Sequence, residues 1–294
     1  MRKLSPSLQF IFLLALSAVI WGRVLLSTFA LALNNDEYTH VLLILPVSVA
    51  LIFLEWKSLR LSPAPNSSVA SALFASAILL GCFARWGTPN LSPDVHLTMN
   101  MLAVVLWWIG SFVFCFGTRI SVGLLFPLGF LFCLVPLPEV ALDRTVVFLQ
   151  RESAYATQWL FIATGVPVIR NGMFISIPGV TVEVARECSS IRSSLMLLVT
   201  SMVLAHLFLR SFWRKTIVVL AAIPLSVAKN AIRIFTLSML GVHVDVGFLH
   251  GSLHQKGGVV FFIVALLIVF LLLWLLGRGE DKMPQKAALV LDRP

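Results

Sequence analysis

Long apolar runs, separated by short polar ones, set the pattern of this chain. A hydrocarbon core of about 30 Å needs about 20 helical residues to cross it. On that rule eight spans are predicted, at 10–33, 40–56, 69–86, 99–117, 121–137, 189–209, 216–240 and 257–276. The second and fifth are short, and Gly117-Thr118-Arg119 leaves only a tight turn between the fourth and fifth. The first run follows Met1-Arg2-Lys3 and has Arg23 as its one charge. It is too long for a signal-peptide core and no small-x-small cleavage site follows it, so it reads as an uncleaved span.

The longest interruption lies between the fifth and sixth spans, over 138–188. In its first part, Glu139 to Gly165, charges break up apolar clusters such as Val146-Val147-Phe148-Leu149 and Trp159-Leu160-Phe161, a pattern that suits helices lying at a membrane interface. Two β-prone runs then flank Asn171-Gly172. That dipeptide accepts positive φ at both positions of a tight turn, so a hairpin is predicted there. A second turn at Pro178-Gly179 leads into Val180–Val184 as a third strand. The predicted fold is an all-α polytopic membrane protein with about eight transmembrane helices and a small extracytoplasmic β-hairpin element before the sixth span. Residues 1–294 form one integral membrane domain, with the interfacial and β segment at 138–188, a helix core at 189–276 and a polar cytoplasmic tail at 277–294.

Composition agrees with a lipid solvent: 59% of the 294 residues are hydrophobic, 12% are charged, and mean hydropathy is +0.97. Soluble domains carry about twice that share of charge. A net charge of +9 would raise nucleic-acid binding in a soluble protein, but here it follows the positive-inside bias of membrane loops, and no nucleic-acid partner is expected. With the N-terminus inside, Arg2, Lys3, Lys57, Arg60, Arg119, Arg210, Arg214, Lys215 and the tail cations all fall on the cytoplasmic side. The short outside loops 34–39 and 87–98 then hold no Lys or Arg. Arg85, Lys256 and four arginines in the long 138–188 segment are the exceptions. Both termini are therefore expected in the cytoplasm.

Ionisable residues in spans are costly and face a bundle interior or a water-filled cavity. They crowd the last third of this chain, all toward the outer face in that topology. Of the four cysteines, Cys82, Cys115 and Cys133 sit in apolar runs, whereas Cys188 sits in Arg186-Glu187-Cys188-Ser189-Ser190. If Ser189 opens a helix, its free N–H groups and positive dipole end, with Arg192 a turn later, favour a thiolate at Cys188; a cysteine that merely caps a helix is the alternative. Asn230 and Arg233 share a face of the seventh span. Arg233 is either an oxyanion clamp or a snorkelling side chain, and Lys229 reads as a structural partner for Glu187 or Glu183. His250 and His254, spaced i, i+4, are read as a general base for Cys188 or, with Cys188, as ligands of a zinc ion. No cofactor or metal is called for.

The residues then show a resemblance. The run from Tyr155 through Gly165-Val-Pro-Val-Ile-Arg-Asn-Gly-Met173 and Ile177-Pro-Gly179 to Glu187-Cys188-Ser-Ser-Ile-Arg192 resembles the exosortase/archaeosortase family. So do Lys229-Asn230-Ala-Ile-Arg233, Leu253-His254 with Gly257-Gly258, and Tyr38-Thr39-His40 in the first outer loop. Ser190 stands where the family has Gly, and Gly257-Gly258-Val259 where it has Ser-Gly-Trp. The resemblance implies a membrane-embedded cysteine transpeptidase with Cys188, Arg233 and His254 as catalytic residues, acting on the extracytoplasmic side of the cell (inner) membrane. Asn230, Arg192, Glu187, Ser189 and His250 become supporting residues. The implied partners are membrane-anchored proteins with a C-terminal sorting signal of the Pro-Glu-Pro type (PEP-CTERM), the lipid bilayer, and an acceptor nucleophile of unknown identity. The β-element before Cys188 is a candidate to pair with an extended sorting motif as an added strand. Two other classes remain open: a transporter, which would show inverted repeats or broken helices in both halves, and a structural subunit of an export or polysaccharide-assembly machine, which would form no covalent intermediate at Cys188.

Overall fold

The computed structural model describes residues 5–57, 67–87, 91–184, 186, 191–244 and 258–279. They form an all-α polytopic membrane protein with one small sheet. Among the described residues, seven helices are long and apolar enough to cross a membrane, or eight if the bent pair Leu125–Leu134 and Glu139–Ala163 is one span. Two compact units divide the chain, Met1–Leu142 and Asp143–Pro294.

In the first unit, α1 (Pro6–Asn34) starts where Ser5 Oγ accepts the Leu8 N–H at 3.4 Å and Pro6 occupies a position that needs no donor. A short 3-10 turn, Asp36–Tyr38, leads into α2 (Val41–Trp56). Next come α3 (Ser67–Cys82), continued by a π-helical turn Phe83–Gly87, and α4 (Pro93–Phe116). α4 is the most enclosed of the long helices and packs on α1 and α3. In lipid, helices associate through close packing and polar contacts rather than hydrophobic burial. Gly110 supplies the first: a Cβ there would lie 3.1 Å from Leu73 Cβ. Trp107 Nε1 donates to the Leu13 carbonyl at 3.1 Å and Trp108 Nε1 to Ser17 Oγ at 2.9 Å, supplying the second.

The predicted fifth span, 121–137, is broken. After Gly117 (φ 87) come α5 (Thr118–Gly123), α6 (Leu125–Phe130) and a 3-10 turn, Leu131–Leu134. Leu124 leaves helical geometry at φ −110, ψ 26, and Pro136 and Pro138 cannot continue a helix because they lack an N–H. Three side chains grip the backbone that follows. Thr98 Oγ1 donates to the Pro136 carbonyl at 2.9 Å and Tyr38 OH to the Leu137 carbonyl at 2.9 Å. Asp94 Oδ2 accepts the Glu139 N–H at 2.8 Å, which satisfies one of the orphan donors at the start of α7 (Glu139–Ala163). The interruption at Glu139–Gly165 is thus one long helix, not several.

In the second unit, α8 (Ile191–Phe208), α9 (Phe212–His243) and α10 (Gly258–Arg278) form a bundle. Its core joins Leu197 and Ala205 of α8, Val218 and Ala222 of α9, and Ala265, Val269 and Leu273 of α10. Most of α10 faces outward with apolar side chains, as a lipid-facing helix must. A second cluster sits on the C-terminal half of α9. Ala154 and Phe161 of α7 meet Ile234 there, beneath Ile175, Ile177 and Val184 from the sheet. The sheet is an antiparallel meander of β1 (Ile169–Asn171), β2 (Phe174–Ile177) and β3 (Val180–Glu183).

Candidate active site

The meander folds as its alternation dictates. Ile175, Ile177, Val180, Val182 and Val184 turn toward α7 and α9, while Thr181 and Glu183 are exposed. Asn171 pairs with Phe174, so the first loop is Gly172-Met173, one residue later than the predicted Asn171-Gly172. Gly172 at the first loop position (φ 62) provides the positive φ that a primed turn requires, and Asn171 stays in the strand. Pro178-Gly179 makes the second turn as predicted. Gly179 (φ 88) follows a proline, the arrangement a type II turn needs.

Four contacts fasten this sheet and the chain leaving it to α7. The Arg170 guanidinium lies 3.8 Å from the Tyr155 ring centroid. Its Nε donates to Gln158 Oε1 and one terminal nitrogen to the Gly172 carbonyl, both at 2.9 Å. Gln150 Nε2 donates to the Val184 carbonyl at 2.7 Å. Arg186 pairs with Asp143 at 2.6 Å, a half-exposed bridge that contributes no more than about 1 kcal/mol. Residues 184 and 186 lie four and two positions before Cys188.

α7 also holds α9. Asn230, 1% exposed, donates from Nδ2 to Ser153 Oγ at 3.0 Å. Thr157 Oγ1 bonds to the Ser153 carbonyl at 2.7 Å and approaches the Ala231 carbonyl at 3.4 Å. On its other side α9 is tied to α8, where Lys229 Nζ donates to Ser193 Oγ. The partner described for Lys229 is thus Ser193, which the sequence reading did not name. Glu183 points to solvent and Glu187 lies outside the described residues. The result is a polar girdle at Lys229–Ala231 between two apolar clusters, with half-buried Arg233 one turn beyond it on α9.

Of the predicted site residues, Asn230, Arg192 and Arg233 are described: Asn230 is buried in the girdle and Arg192 is exposed in the first turn of α8. Cys188, Glu187, Ser189, His250 and His254 lie outside the described residues. The chain on either side of them, Arg186 and Ile191 for the first group and Val244 and Gly258 for the histidines, belongs to the second unit with Arg233. Among the described residues no three His, Cys, Asp or Glu side chains gather as a metal site would require. Sequence reasoning missed Ser153, Thr157, Gln150 and Ser193. Ser153 and Thr157, four residues apart on the stripe of Leu149, Ala154 and Phe161, were the available signal, since small polar residues on a buried stripe mark a helix–helix contact.

A profile described as transmembrane exosortase matches residues 30–271. The chain belongs to the transmembrane exosortase family. Both units of this exosortase fall largely within the match, from the end of α1 to most of α10. No curated protein matches the chain, and no solved structure does. At the level of the family, the exosortase is an integral membrane protein-sorting transpeptidase whose substrates are proteins with sorting signals. Its girdle and sheet lie in the same unit as Arg233.

Proposed function

We propose that this exosortase cleaves a C-terminal sorting signal by acyl transfer through Cys188. The thiolate attacks a peptide carbonyl to form a tetrahedral oxyanion, which collapses to a thioester and expels the amine of the signal. His254 takes the proton from sulfur and delivers it to the departing nitrogen. Arg233 stabilises the oxyanion, a task suited to a guanidinium that stays charged and holds its geometry. An acceptor nucleophile on the exported protein's destination then resolves the thioester, or water does. The site faces the extracytoplasmic side, with both termini in the cytoplasm.

One observation carries this reading. α7 grips the chain that leads into Cys188, through Gln150 and Asp143, and also grips α9 one turn below Arg233, through Ser153. A single helix thus supports both the segment bearing the proposed nucleophile and the helix bearing the proposed clamp. Such support is what catalytic geometry needs, because errors of about 1 Å cost orders of magnitude in rate. The test is Cys188→Ala, with processing of a co-expressed membrane protein that carries a C-terminal sorting signal as readout. Loss of at least about a thousandfold is expected, together with loss of a covalent enzyme–substrate adduct; unchanged processing ends the assignment.

The Lys229–Ser193 hydrogen bond favours a second reading. Ser–Lys pairs serve as nucleophile and base in other acyl-transfer enzymes, so Ser193 would then be the attacking group. Ser193→Ala separates the two: it abolishes processing under the second reading, and under the first it lowers thermal stability while processing stays within about tenfold.

A further inference from the structure

The ladder of the meander fixes which backbone groups of β3 are spoken for. Residues flanking a two-residue hairpin loop exchange hydrogen bonds, and bonded and non-bonded pairs then alternate along an antiparallel ladder. Ile177 and Val180 flank Pro178-Gly179, so Ile177/Val180 and Ile175/Val182 are bonded pairs. Val184 continues the alternation, its N–H meeting the Met173 carbonyl at 2.9 Å. Thr181 and Glu183, opposite Ser176 and Phe174, are the non-bonded positions. Their N–H and C=O groups point in the sheet plane away from β2. Both residues are exposed, and among the described residues nothing bonds to that edge. The opposite edge, on β1, offers only one such residue, Arg170, whose side chain is already committed to α7.

The β3 edge thus presents two outward donor–acceptor pairs, two residues or about 6.6 Å apart, on a strand that ends five residues before Cys188. An unpaired edge of this kind is a template for an added strand. The core-side residues Val180 and Val182 of β3 pack, with Phe235 and Met239 of α9, on the apolar cluster of Ala154, Phe161 and Ile234, which, among the described residues, leaves the other face and the edge of the strand free for a partner. We propose that the extended segment of the protein substrate around its cleavage point docks on this edge as a fourth strand, with its backbone paired to Thr181 and Glu183. Docking there sets the substrate's register relative to Cys188 through main-chain bonds, leaving its side chains to the specificity of the flanking surfaces. This rests on the reading of Cys188 as nucleophile.

Two measurements test it. Thr181→Pro and Glu183→Pro each delete one outward N–H without touching a β2–β3 bond, a change that an edge strand tolerates. Each is expected to reduce processing at least tenfold, and by more than Thr181→Val or Glu183→Gln, which keep the N–H. The second measurement needs no active enzyme. In a Cys188→Ala chain with Cys82, Cys115 and Cys133 replaced by alanine, a cysteine at Thr181 is paired with single cysteines walked along the substrate segment. Disulfide yield that rises and falls with a period of two residues supports the added strand. Uniform yield, no yield, or proline variants that process normally overturn it. If cross-linking shows the period of two but Cys188→Ala still processes, the nucleophile assignment fails and the docking edge stands.

Discussion

Arg233 and its neighbours show how much one turn of a helix can specify. Asn230 hydrogen-bonds Ser153 in a fully buried position, and such contacts between membrane helices average about 0.6 kcal/mol with a ceiling near 1.7. Asn230→Leu is accordingly expected to cost about 1 kcal/mol in unfolding assays in detergent, while lowering processing by more than that loss explains, because Arg233 loses its seat. At Arg233 itself the expected order is wild type, then Arg233→Lys, then Arg233→Ala, each step at least about tenfold. A lysine keeps the charge but not the planar fork. Equal rates for the lysine and wild-type chains would show that only charge is required there. Asn230 and Arg233 could be singled out from sequence because lipid makes every polar residue in a span conspicuous. Ser193 and Ser153 could not, since serine is common in such helices and only the fold reveals what it faces.

At the scale of elements, α7 holds the greatest leverage. Gln150→Leu strips the Val184 carbonyl of its donor, and an unsatisfied buried carbonyl costs about 1–3 kcal/mol. The expected outcome is faster amide hydrogen exchange in β3 and processing reduced about tenfold, with membrane insertion unchanged. Gly179→Ala tests the turn: at φ 88 an L-residue costs about 1–2 kcal/mol, which should appear as loss of protection in β2 and β3 together. Seven of the eight predicted spans were legible because bilayer thickness fixes helix length independently of packing. The eighth, 121–137, survives only as part of a bent pair with α7, because composition counts apolar residues without registering that Leu124 leaves helical geometry and that Pro136 and Pro138 cannot continue the helix. The hairpin was legible from its turn residues, but its register shifted by one position because a single glycine at the first loop position satisfies the turn.

For the whole molecule, α9 sets the dimensions. Its 32 residues extend roughly 48 Å at about 1.5 Å per residue, well beyond a hydrocarbon core of about 30 Å. The proposed topology puts the excess and the meander outside. A cysteine replacing Asn171 should therefore react with a membrane-impermeant maleimide in intact cells, and one replacing Arg214 should react only after permeabilisation. The reverse pattern would invert the topology and place the sheet in the cytoplasm. Charge bias in the loops is what carries the proposed orientation, whereas the division into two units was not readable, because nothing in a run of apolar residues announces which helices will share a core.

The double attachment of α7 has a mechanical consequence. When one rod carries two fittings, a tilt or slide of the rod displaces both in the same sense, and the spacing between them changes far less than either location. Thermal bending of the bilayer or a shift in its thickness would therefore be largely cancelled at the gap between Val184 and Asn230. A lesion that loosens only one fitting forfeits that cancellation, so Gln150 and Asn230 variants should lose activity more steeply in fluid membranes than in stiff ones.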